Sequence, residues 1–525
     1  MVRAAKLRDI PANIRLGEKP DLLRVNVSQT DKTGQRSQLG QYPTPLTVAD
    51  FMASLFNDDK GEIRLLDPGA GIGSLTSAYV ARACDHRPRP KSIAATAIEI
   101  DPDLKELLGQ TLEKCGNACA RAGIGFDGEA CGADFIVAAV SMLESNLFGH
   151  GDKRFNAIIL NPPYKKINAR SEHRHLLRRV GIETTNLYTA FLALSVLLLE
   201  PNGQLVAITP RSFCNGPYFK SFRRLFLREM AIQRIHVFES RKAAFAKDDI
   251  LQENIILHAI KTKEKLSRVF VSSSHGPDQE PLIRQLEPDE LVKPNDPAQF
   301  IHIIANEEGS RATNLLARLS HSLADIGIQV STGPVVDFRC KDFLRANPAP
   351  NSVPLIYPSH FADGWIKWPR LGHKKPNSCI LNDQSRKWLV ASDVYVVTKR
   401  FSAKEERRRI VAAVFEPSHV PCKFVAFENH LNYFHEMGRG LPLTLAKGLA
   451  LYLNSAIVDV CFRQFNGHTQ VNASDLRNMR FPARSELEEL GRLISNQFPN
   501  PEDIDRLIES RLSKWLKSGE SPSVS

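Results

Sequence analysis

The stretch that most constrains the fold is a short apolar run, Phe155–Leu160, followed directly by Asn161-Pro162-Pro163-Tyr164. A run this short, apolar and closed by prolines is typical of a buried parallel strand that ends in a rigid turn. Because each proline ring fixes φ and lacks a backbone N–H, we expect the Asn161 amide and the Pro162 carbonyl to be presented as acceptors beside an aromatic ring. These parts suit the binding of a planar amino group. A proline-stiffened loop is the competing interpretation.

A glycine-rich turn upstream predicts a ligand site next to that strand. Glu62–Asp67 has the pattern of a strand and Leu75–Ala83 that of a helix, with Gly69 and Gly71 in the turn between them. Glycines in such a turn let the backbone approach a ligand closely. The dinucleotide fingerprint would need a third glycine where Ser74 stands, so a nicotinamide cofactor is disfavoured.

A further predicted strand, Ile93–Ile100, carries carboxylates at its end. In a doubly wound fold, a carboxylate at the end of the second strand can accept hydrogen bonds from both hydroxyls of a ribose. We expect Glu99 to play this role, with Asp101 in reserve. A solvated strand end is the alternative.

Together these segments resemble a known family. Asn161–Tyr164 resembles motif IV of the S-adenosylmethionine-dependent methyltransferases that modify exocyclic adenine nitrogens, although protein-glutamine methyltransferases carry the same four letters. Tyr42-Pro43-Thr44-Pro45 is similar to motif X of the gamma order of DNA adenine methyltransferases, and Thr44 or Thr47 would also cap the helix that follows. The order of motif X, glycine loop, Asn-Pro-Pro-Tyr and a large C-terminal region is the gamma order.

The resemblance implies roles for individual residues. The oxygens of Asn161 and Pro162 would orient the target amino group, and Tyr164 would stack on the base with Phe245 on its other face. A core phenylalanine is the alternative for Phe245. The implied cofactor-binding residues, which include an acid and an apolar wall beside the cofactor's adenine, are Thr44, Asp67, Gly69, Gly71, Glu99, Asp134, Phe135 and Asn161. S-adenosyl-L-methionine carries its own leaving group, so no metal is expected.

Length and charge predict several domains and a polyanionic partner. The chain has 525 residues and a formal charge of +11, and residues 339–409 hold 15 Lys and Arg against 6 Asp and Glu. Trp365, Trp368 and Tyr395 lie within this basic window, which suits contacts to DNA phosphates and base edges, although a merely basic scaffold is the alternative. Nine scattered cysteines favour structural thiols in a reducing cytoplasm over a zinc site. We expect no signal peptide and no membrane span.

Composition also suggests where domains begin and end. We predict an arm at 1–36, a cofactor-binding catalytic domain at 37–265, a linker at 266–299, a DNA target-recognition domain at 300–483, and helices and a tail at 484–525. Lys165–Gly181 is rich in basic residues and is predicted to be a mobile loop over the site, near phosphates or simply solvated. The blocks Glu428–Asn432 and Gly467–Asn472 resemble stretches near the end of recognition domains, without assignable roles.

These observations predict an α/β protein, with a Rossmann-like S-adenosylmethionine-dependent methyltransferase sheet and a C-terminal mixed α/β target-recognition domain. The expected activity is site-specific methylation of adenine N6 in double-stranded DNA, with the base flipped out of the duplex, as part of a restriction–modification system with a partner restriction endonuclease. The expected location is the cytoplasm of a bacterium or archaeon, at the nucleoid. The alternatives are an RNA or protein-glutamine methyltransferase, or a catalytically silent DNA-binding protein.

Overall fold

The computed structural model describes residues 44–57, 61–147, 154–238 and 253–518, apart from 265, 278, 403–405, 467–469 and 496. The chain divides between Ala305 and Asn306 into two units, each with its own sheets and core.

The first unit is built from alternating strands and helices. Its strands are β1 (Glu62–Pro68), β2 (Ser92–Glu99), β3 (Gly125–Gly132), β4 (Phe155–Leu160), β5 (Leu199–Pro210), β6 (Ala231–Phe238), β7 (Asn254–Ile260), β8 (Val269–Ser274) and β9 (Leu282–Leu286). Its helices are α1 (Leu46–Ser54), α2 (Ser74–Asp85), α3 (Pro102–Ala122), α4 (Phe135–Leu147), α5 (Glu172–Arg179), α6 (Leu187–Leu198), α7 (Lys220–Glu229) and the short α8 (Pro288–Leu291).

All nine strands form one sheet in the order β3-β2-β1-β4-β5-β7-β6-β8-β9. The strands from β3 to β5 are parallel, and β7 runs antiparallel between β5 and β6. The apolar strand β4 lies in the centre and the apolar helix α6 is buried against the same core. Parallel strands end at one edge of the sheet, so the turns after β1, β2, β3 and β4 converge there. The predicted fold class is confirmed.

Three local expectations are corrected. The predicted linker at 266–299 instead supplies β8, β9 and α8, because β8 pairs with β6 and Leu291 enters the core. The predicted loop Lys165–Gly181 contains helix α5. The segment packs on the core through the buried side chains of Ile167, which precedes the helix, and Leu177, which lies in it. Neither Thr44 nor Thr47 caps α1, since its N-cap is Pro45.

The second unit is a mixed α/β assembly of two sheets and six α-helices among the described residues. One sheet has the order β10-β20-β17-β18-β14-β13 and the other the order β11-β15-β12-β19-β16. The strands are β10 (Gln329–Thr332), β11 (Leu344–Arg345), β12 (Ser352–Ile356), β13 (Phe361–Ala362), β14 (Trp365–Ile366), β15 (Ser378–Ile380), β16 (Leu389–Ala391), β17 (Tyr395–Lys399), β18 (Ala412–Phe415), β19 (Phe424–Phe427) and β20 (Leu431–His435). The helices are α9 (Glu307–Ala317), α10 (Leu443–Leu453), α11 (Ala456–Phe465), α12 (Ala473–Arg477), α13 (Arg484–Arg492) and α14 (Pro501–Ser518).

A run of three arginines at the end of the basic window is engaged inside this unit. Arg407 pairs with Glu502, and Arg408 pairs with Asp505 at 2.5 Å, so both attach to helix α14. Arg409 is 3% exposed and donates to the Asn466 side chain at 2.7 Å. Arg408 and Arg409 therefore serve the packing of the unit, whereas the Arg407–Glu502 pair lies on its surface.

Within the described ranges, no single helix is long and apolar enough to cross a membrane. Helices α10 and α11 reach that length and composition only as a pair, and the pair is bent by 62°.

Candidate active site

A cavity of about 420 Å³ lies in the first unit, where the turns after β1, β2, β3 and β4 converge. Most of the predicted site residues line it, although they are far apart in sequence. The predicted residues in its lining are Thr44, Gly69, Gly71, Glu99, Asp134, Phe135 and Asn161. The topology of the parallel sheet therefore collects the separate motifs into one place.

The turn after β1 needs glycine for conformational reasons. Gly71 and Gly73 have φ of 58° and 84°, in the left-handed region that side chains disfavour. A Cβ on Gly73 would also lie 2.8 Å from the Leu108 side chain. The Ile98 carbonyl holds the start of the turn by accepting bonds from the N–H groups of Gly69 and Ala70, at 2.8 and 3.0 Å. The backbone consequently lies directly against the cavity.

Glu99 and Asp101, both candidates from the sequence, have different roles. Glu99 is 3% exposed, and its two oxygens accept 2.8 Å bonds from the N–H groups of Gly71 and Asp101. Burial raises the pKa of Glu99, while these two hydrogen bonds lower it. Asp101 instead caps helix α3, because its Oδ1 accepts from the N–H groups of Asp103 and Leu104. Of the two carboxylates, only Glu99 lies in the lining.

Asp134 and Phe135 line the cavity at the start of α4. Asp134 Oδ1 accepts a 2.8 Å bond from the Ile136 N–H, and its Oδ2 lies 3.0 Å from His173 Nε2. Phe135 packs against Phe191, with ring centroids 4.8 Å apart. The pair of rings forms an apolar wall, and Asp134 links it to the segment that follows the Asn-Pro-Pro-Tyr turn.

Asn161 is held on both sides of its amide. Its Nδ2 donates to Thr44 Oγ1 at 3.0 Å, and its Oδ1 accepts from the Tyr164 hydroxyl at 3.2 Å. The Tyr164 ring lies edge-on to Tyr188, with centroids 6.3 Å apart, and the Tyr188 hydroxyl lies 2.8 Å from Ser212 Oγ. The amide orientation is therefore set by partners from motif X and from the turn itself.

Four predicted residues are not in the lining. Asp67 is 1% exposed, its Oδ2 accepts from the Thr76 hydroxyl at 2.7 Å, and burial raises its pKa to about 7. Pro162 is buried in the turn, and Tyr164 is half-buried behind Asn161. Phe245 falls outside the described residues.

Several lining residues were not named individually from the sequence. Lys165, Lys166, Asn168, Ser171 and His173 contribute to the cavity from the segment that was predicted only as a loop over the site, and Phe191 contributes from α6. The basic composition of that segment indicated its place but not which of its side chains face the cavity. Within the part of the chain that the structure describes, no group of three or more His, Cys, Asp and Glu side chains could hold a metal ion.

The residues present fit S-adenosylmethionine. Glu99 offers carboxylate oxygens of the kind that ribose hydroxyls bind, and Phe135 and Phe191 form an apolar wall suited to a purine ring. Among the described residues, Asp67 Oδ1 is a buried acceptor without a hydrogen-bond partner. The donor set contains carboxylate, amide and hydroxyl groups suited to an organic ligand.

Comparisons with known proteins identify the family of the chain. Residues 125–245 match the model of the Eco57I restriction-modification methylase family. The chain is 44% identical to the type II methyltransferase M.PstI of Providencia stuartii over 98% of its length and 99% of the relative's. It is also 44% identical to the type II methyltransferase M.BsuBI of Bacillus subtilis, over 95% and 98% of the two lengths.

A solved structure shares the fold. The type IIL restriction-modification enzyme MmeI, solved in complex with DNA, aligns with 96% of this chain and 74% of its own, with a TM-score of 0.54 and 11% identity. The relatives do not favour the alternatives of RNA methylation, protein methylation or a silent binding protein. The chain belongs to the type II DNA methyltransferases of restriction–modification systems, for which S-adenosylmethionine is the methyl donor.

Proposed function

We propose that this enzyme methylates the exocyclic N6 of an adenine in double-stranded DNA, and that Asn161, Pro162 and Tyr164 carry the chemistry. The observation that supports this most is the Asn161 amide, which lines the cofactor cavity while Thr44 and Tyr164 hold it from two sides. An amide held in this way is preorganised to present its oxygen to an amino group.

The chemical problem is the low nucleophilicity of an aromatic amine, whose nitrogen lone pair is delocalised into the ring. Two acceptors, Asn161 Oδ1 and the Pro162 carbonyl, would take the two amino hydrogens and favour a pyramidal nitrogen. S-adenosylmethionine supplies an activated methyl group when bound. Asn161 therefore orients the acceptor nitrogen, and no covalent nucleophile on the protein is needed.

The Tyr164 ring would stack on the target base. Because N6 is paired inside a duplex, the adenine must leave the stack to reach Asn161. The edge-on contact with Tyr188 supports the Tyr164 ring from one side. We propose Phe245 for the opposite face of the base.

We assign recognition of the DNA site to the second unit, residues 306–525, which contains the basic window. We also propose that the enzyme is paired with a partner restriction endonuclease and that it acts at the nucleoid in the cytoplasm. DNA from cells that express the enzyme would be digested with candidate restriction endonucleases. The partner nuclease is the one from which methylation protects this DNA.

The activity is tested by incubating the purified protein with methyl-labelled S-adenosylmethionine and, in parallel, duplex DNA, RNA and protein. Digestion to nucleosides should then place the label in N6-methyladenine from the DNA. Label in a methylated cytosine, or label in RNA alone, would overturn the proposal. The Asn161→Ala variant is the control for a contaminating activity.

A further inference from the structure

Glu428–Asn432 and Gln470–Asn472, the described parts of the two stretches whose roles the sequence left open, meet at one place in the second unit. Asn432 Nδ2 donates to the Val471 carbonyl at 2.8 Å, and the Val471 N–H donates to the Arg400 carbonyl at 2.7 Å. The Arg400 N–H in turn donates to the His430 carbonyl at 2.8 Å. Three segments that are distant in sequence are thereby fixed together: the residue after strand β17, the start of strand β20 with the residues before it, and the stretch around Val471.

Side chains reinforce this junction. The Arg400 guanidinium donates to the Asn429 carbonyl at 3.1 Å and lies 3.5 Å from Gln470 Oε1. Beside it, the rings of Phe401 and His430 lie 4.7 Å apart. We call Arg400, Phe401, Glu428, His430 and Gln470 the His430 cluster.

The His430 cluster has a buried base and an exposed tip. The Glu428 side chain is 0% exposed, whereas the His430 side chain is 40% exposed and Phe401 is 41% exposed. A buried carboxylate costs free energy unless hydrogen bonds compensate it, and here both of its oxygens bond to His430. Oε1 lies 2.5 Å from the ring Nδ1, and Oε2 accepts from the backbone N–H at 2.9 Å. The fold therefore uses a buried charge to hold one surface imidazole.

The bond from Nδ1 to Glu428 determines which hydrogen bonds the imidazole can make through Nε2. With Nδ1–H donating to Glu428, a neutral ring presents Nε2 as an acceptor, and a protonated ring presents it as a donor. Within the ranges that the structure describes, Nε2 has no hydrogen-bond partner. Adenine and cytosine carry amino donors on their major-groove edges, and guanine carries two acceptors.

The charge of the pair favours a base over a phosphate. An imidazolium on the Glu428 carboxylate has no net charge, and a neutral ring leaves the pair negative. Neither state of the pair attracts a phosphate as a free lysine or arginine does, and Arg400, the arginine of the His430 cluster, already donates to the Asn429 carbonyl. The neighbouring Phe401 ring is apolar and exposed, which suits a base face or a thymine methyl group.

We propose that His430, positioned by Glu428 and flanked by Phe401, contacts the edge of one base pair in the DNA target and helps to determine the methylated sequence. The inference rests on the proposed function, because it assigns a specificity residue to the same DNA substrate. Glu428 acts through His430 and is a positioning residue.

The test uses the full chain, and the target sequence need not be known before it begins. Wild type, His430→Ala and Phe401→Ala are expressed in a host without adenine methylation, and methylated positions are mapped by single-molecule sequencing. His430→Ala should relax the wild-type motif at one base position, lowering discrimination there by roughly 2- to 13-fold, the range for one lost hydrogen bond. Phe401→Ala should relax the same position or its neighbour.

His419→Ala is the matched control, since His419 is also an exposed histidine of this unit but packs on Trp365. It should keep the wild-type motif. Thermal melting verifies the fold, and if His430→Ala melts early, His430→Gln is scored in its place because it keeps a polar group at that position.

The outcomes separate the two proposals. If the wild type produces no N6-methyladenine, the proposed function fails. If the wild type methylates a motif and His430→Ala methylates it with unchanged preference, only the His430 inference fails. Uniform weakening on every sequence with a shallower salt dependence would make His430 a phosphate contact, and would also overturn the inference.

Discussion

The Tyr164 hydroxyl donates a 3.2 Å hydrogen bond to Asn161 Oδ1, the oxygen that we assign to the target amino group. Tyr164 therefore has two separable parts, a ring proposed to stack on the base and a hydroxyl that helps to orient the catalytic amide. The hydroxyl can be removed without the ring, by Tyr164→Phe, whereas Tyr164→Ala removes both.

We expect Tyr164→Phe and Tyr164→Ala to act on different steps. Loss of the ring in Tyr164→Ala should weaken capture of the flipped base by about 1–3 kcal/mol, the usual cost of one lost stacking partner. Tyr164→Phe keeps the ring and should leave flipping intact while lowering the rate of methyl transfer slightly. Fluorescence of 2-aminopurine at the target position measures flipping separately from turnover. Equal flipping by the wild type and Tyr164→Ala would contradict the stacking role.

Asn161→Ala should lower kcat far more than it lowers affinity for DNA. The amide oxygen is needed mainly as the amino nitrogen becomes pyramidal, and loss of one preorganised group of this kind costs about 2.7–4 kcal/mol in the transition state. Single-turnover kinetics and a DNA-binding titration measure the two quantities. Thr44→Val, which removes only the partner of Nδ2, should give a smaller loss. A wild-type rate in Asn161→Ala would exclude the mechanism.

Glu99→Gln should weaken binding of S-adenosylmethionine because a charged acceptor becomes neutral. The expected loss is about 1–1.5 kcal/mol for each hydrogen bond that changes from charge-assisted to neutral. Calorimetry with the cofactor alone measures it. Asp101→Asn is the matched control, since asparagine also caps helices well and Asp101 lies outside the cavity lining. Equal affinity in the two variants would refute the role of Glu99.

Asp67→Asn should stabilise the cofactor-free protein, and increasingly so as the pH rises. Burial raises the pKa of Asp67 from 3.8 to about 7, so the folded state holds a proton that the unfolded state has released. Wild type therefore loses stability between about pH 4 and 7, whereas asparagine does not ionise. The gain at pH 8 should be a few kcal/mol at most, measured by denaturant unfolding at pH 5 and 8.

A fragment of residues 1–305 should bind S-adenosylmethionine but should not recognise a specific DNA sequence. A fragment of residues 1–270 should not fold, because it lacks β9 and most of β8 together with the buried Leu286 and Ile301. Circular dichroism and cofactor calorimetry compare the two fragments. Specific DNA binding by residues 1–305 would refute the assignment of recognition to the second unit.

The elements around the motifs were predictable because their apolar patterns are strong. Strand Phe155–Leu160 appears with the predicted bounds, and its neighbours differ by a residue or two at their ends. Strands β8 and β9 were missed because β8 ends in three serines and two side chains of β9, Leu282 and Ile283, are largely exposed. Strand β8 is defined by its pairing with β6, and β9 by its pairing with β8, and composition reports neither pairing.

In the site, the motifs indicated which residues assemble but not how they bond. The sequence offered both Glu99 and Asp101 as the acceptor for the ribose hydroxyls. The structure distinguishes them because Asp101 caps helix α3 and Glu99 does not. His173 was missed because its contact with Asp134 spans 39 positions in a segment without apolar periodicity. Long-range hydrogen bonds of this kind depend on the sheet order, which no local pattern contains.

The contacts of Arg407–Arg409 affect how steeply DNA binding by the second unit should depend on salt concentration. Two of these arginines are neutralised by carboxylates of α14, and the third is buried. The logarithm of DNA affinity falls with the logarithm of salt concentration by about 0.9 for each phosphate neutralised. A titration against salt should therefore give a slope well below the one that the net charge of the basic window implies, because part of that charge already has its counterions within the fold.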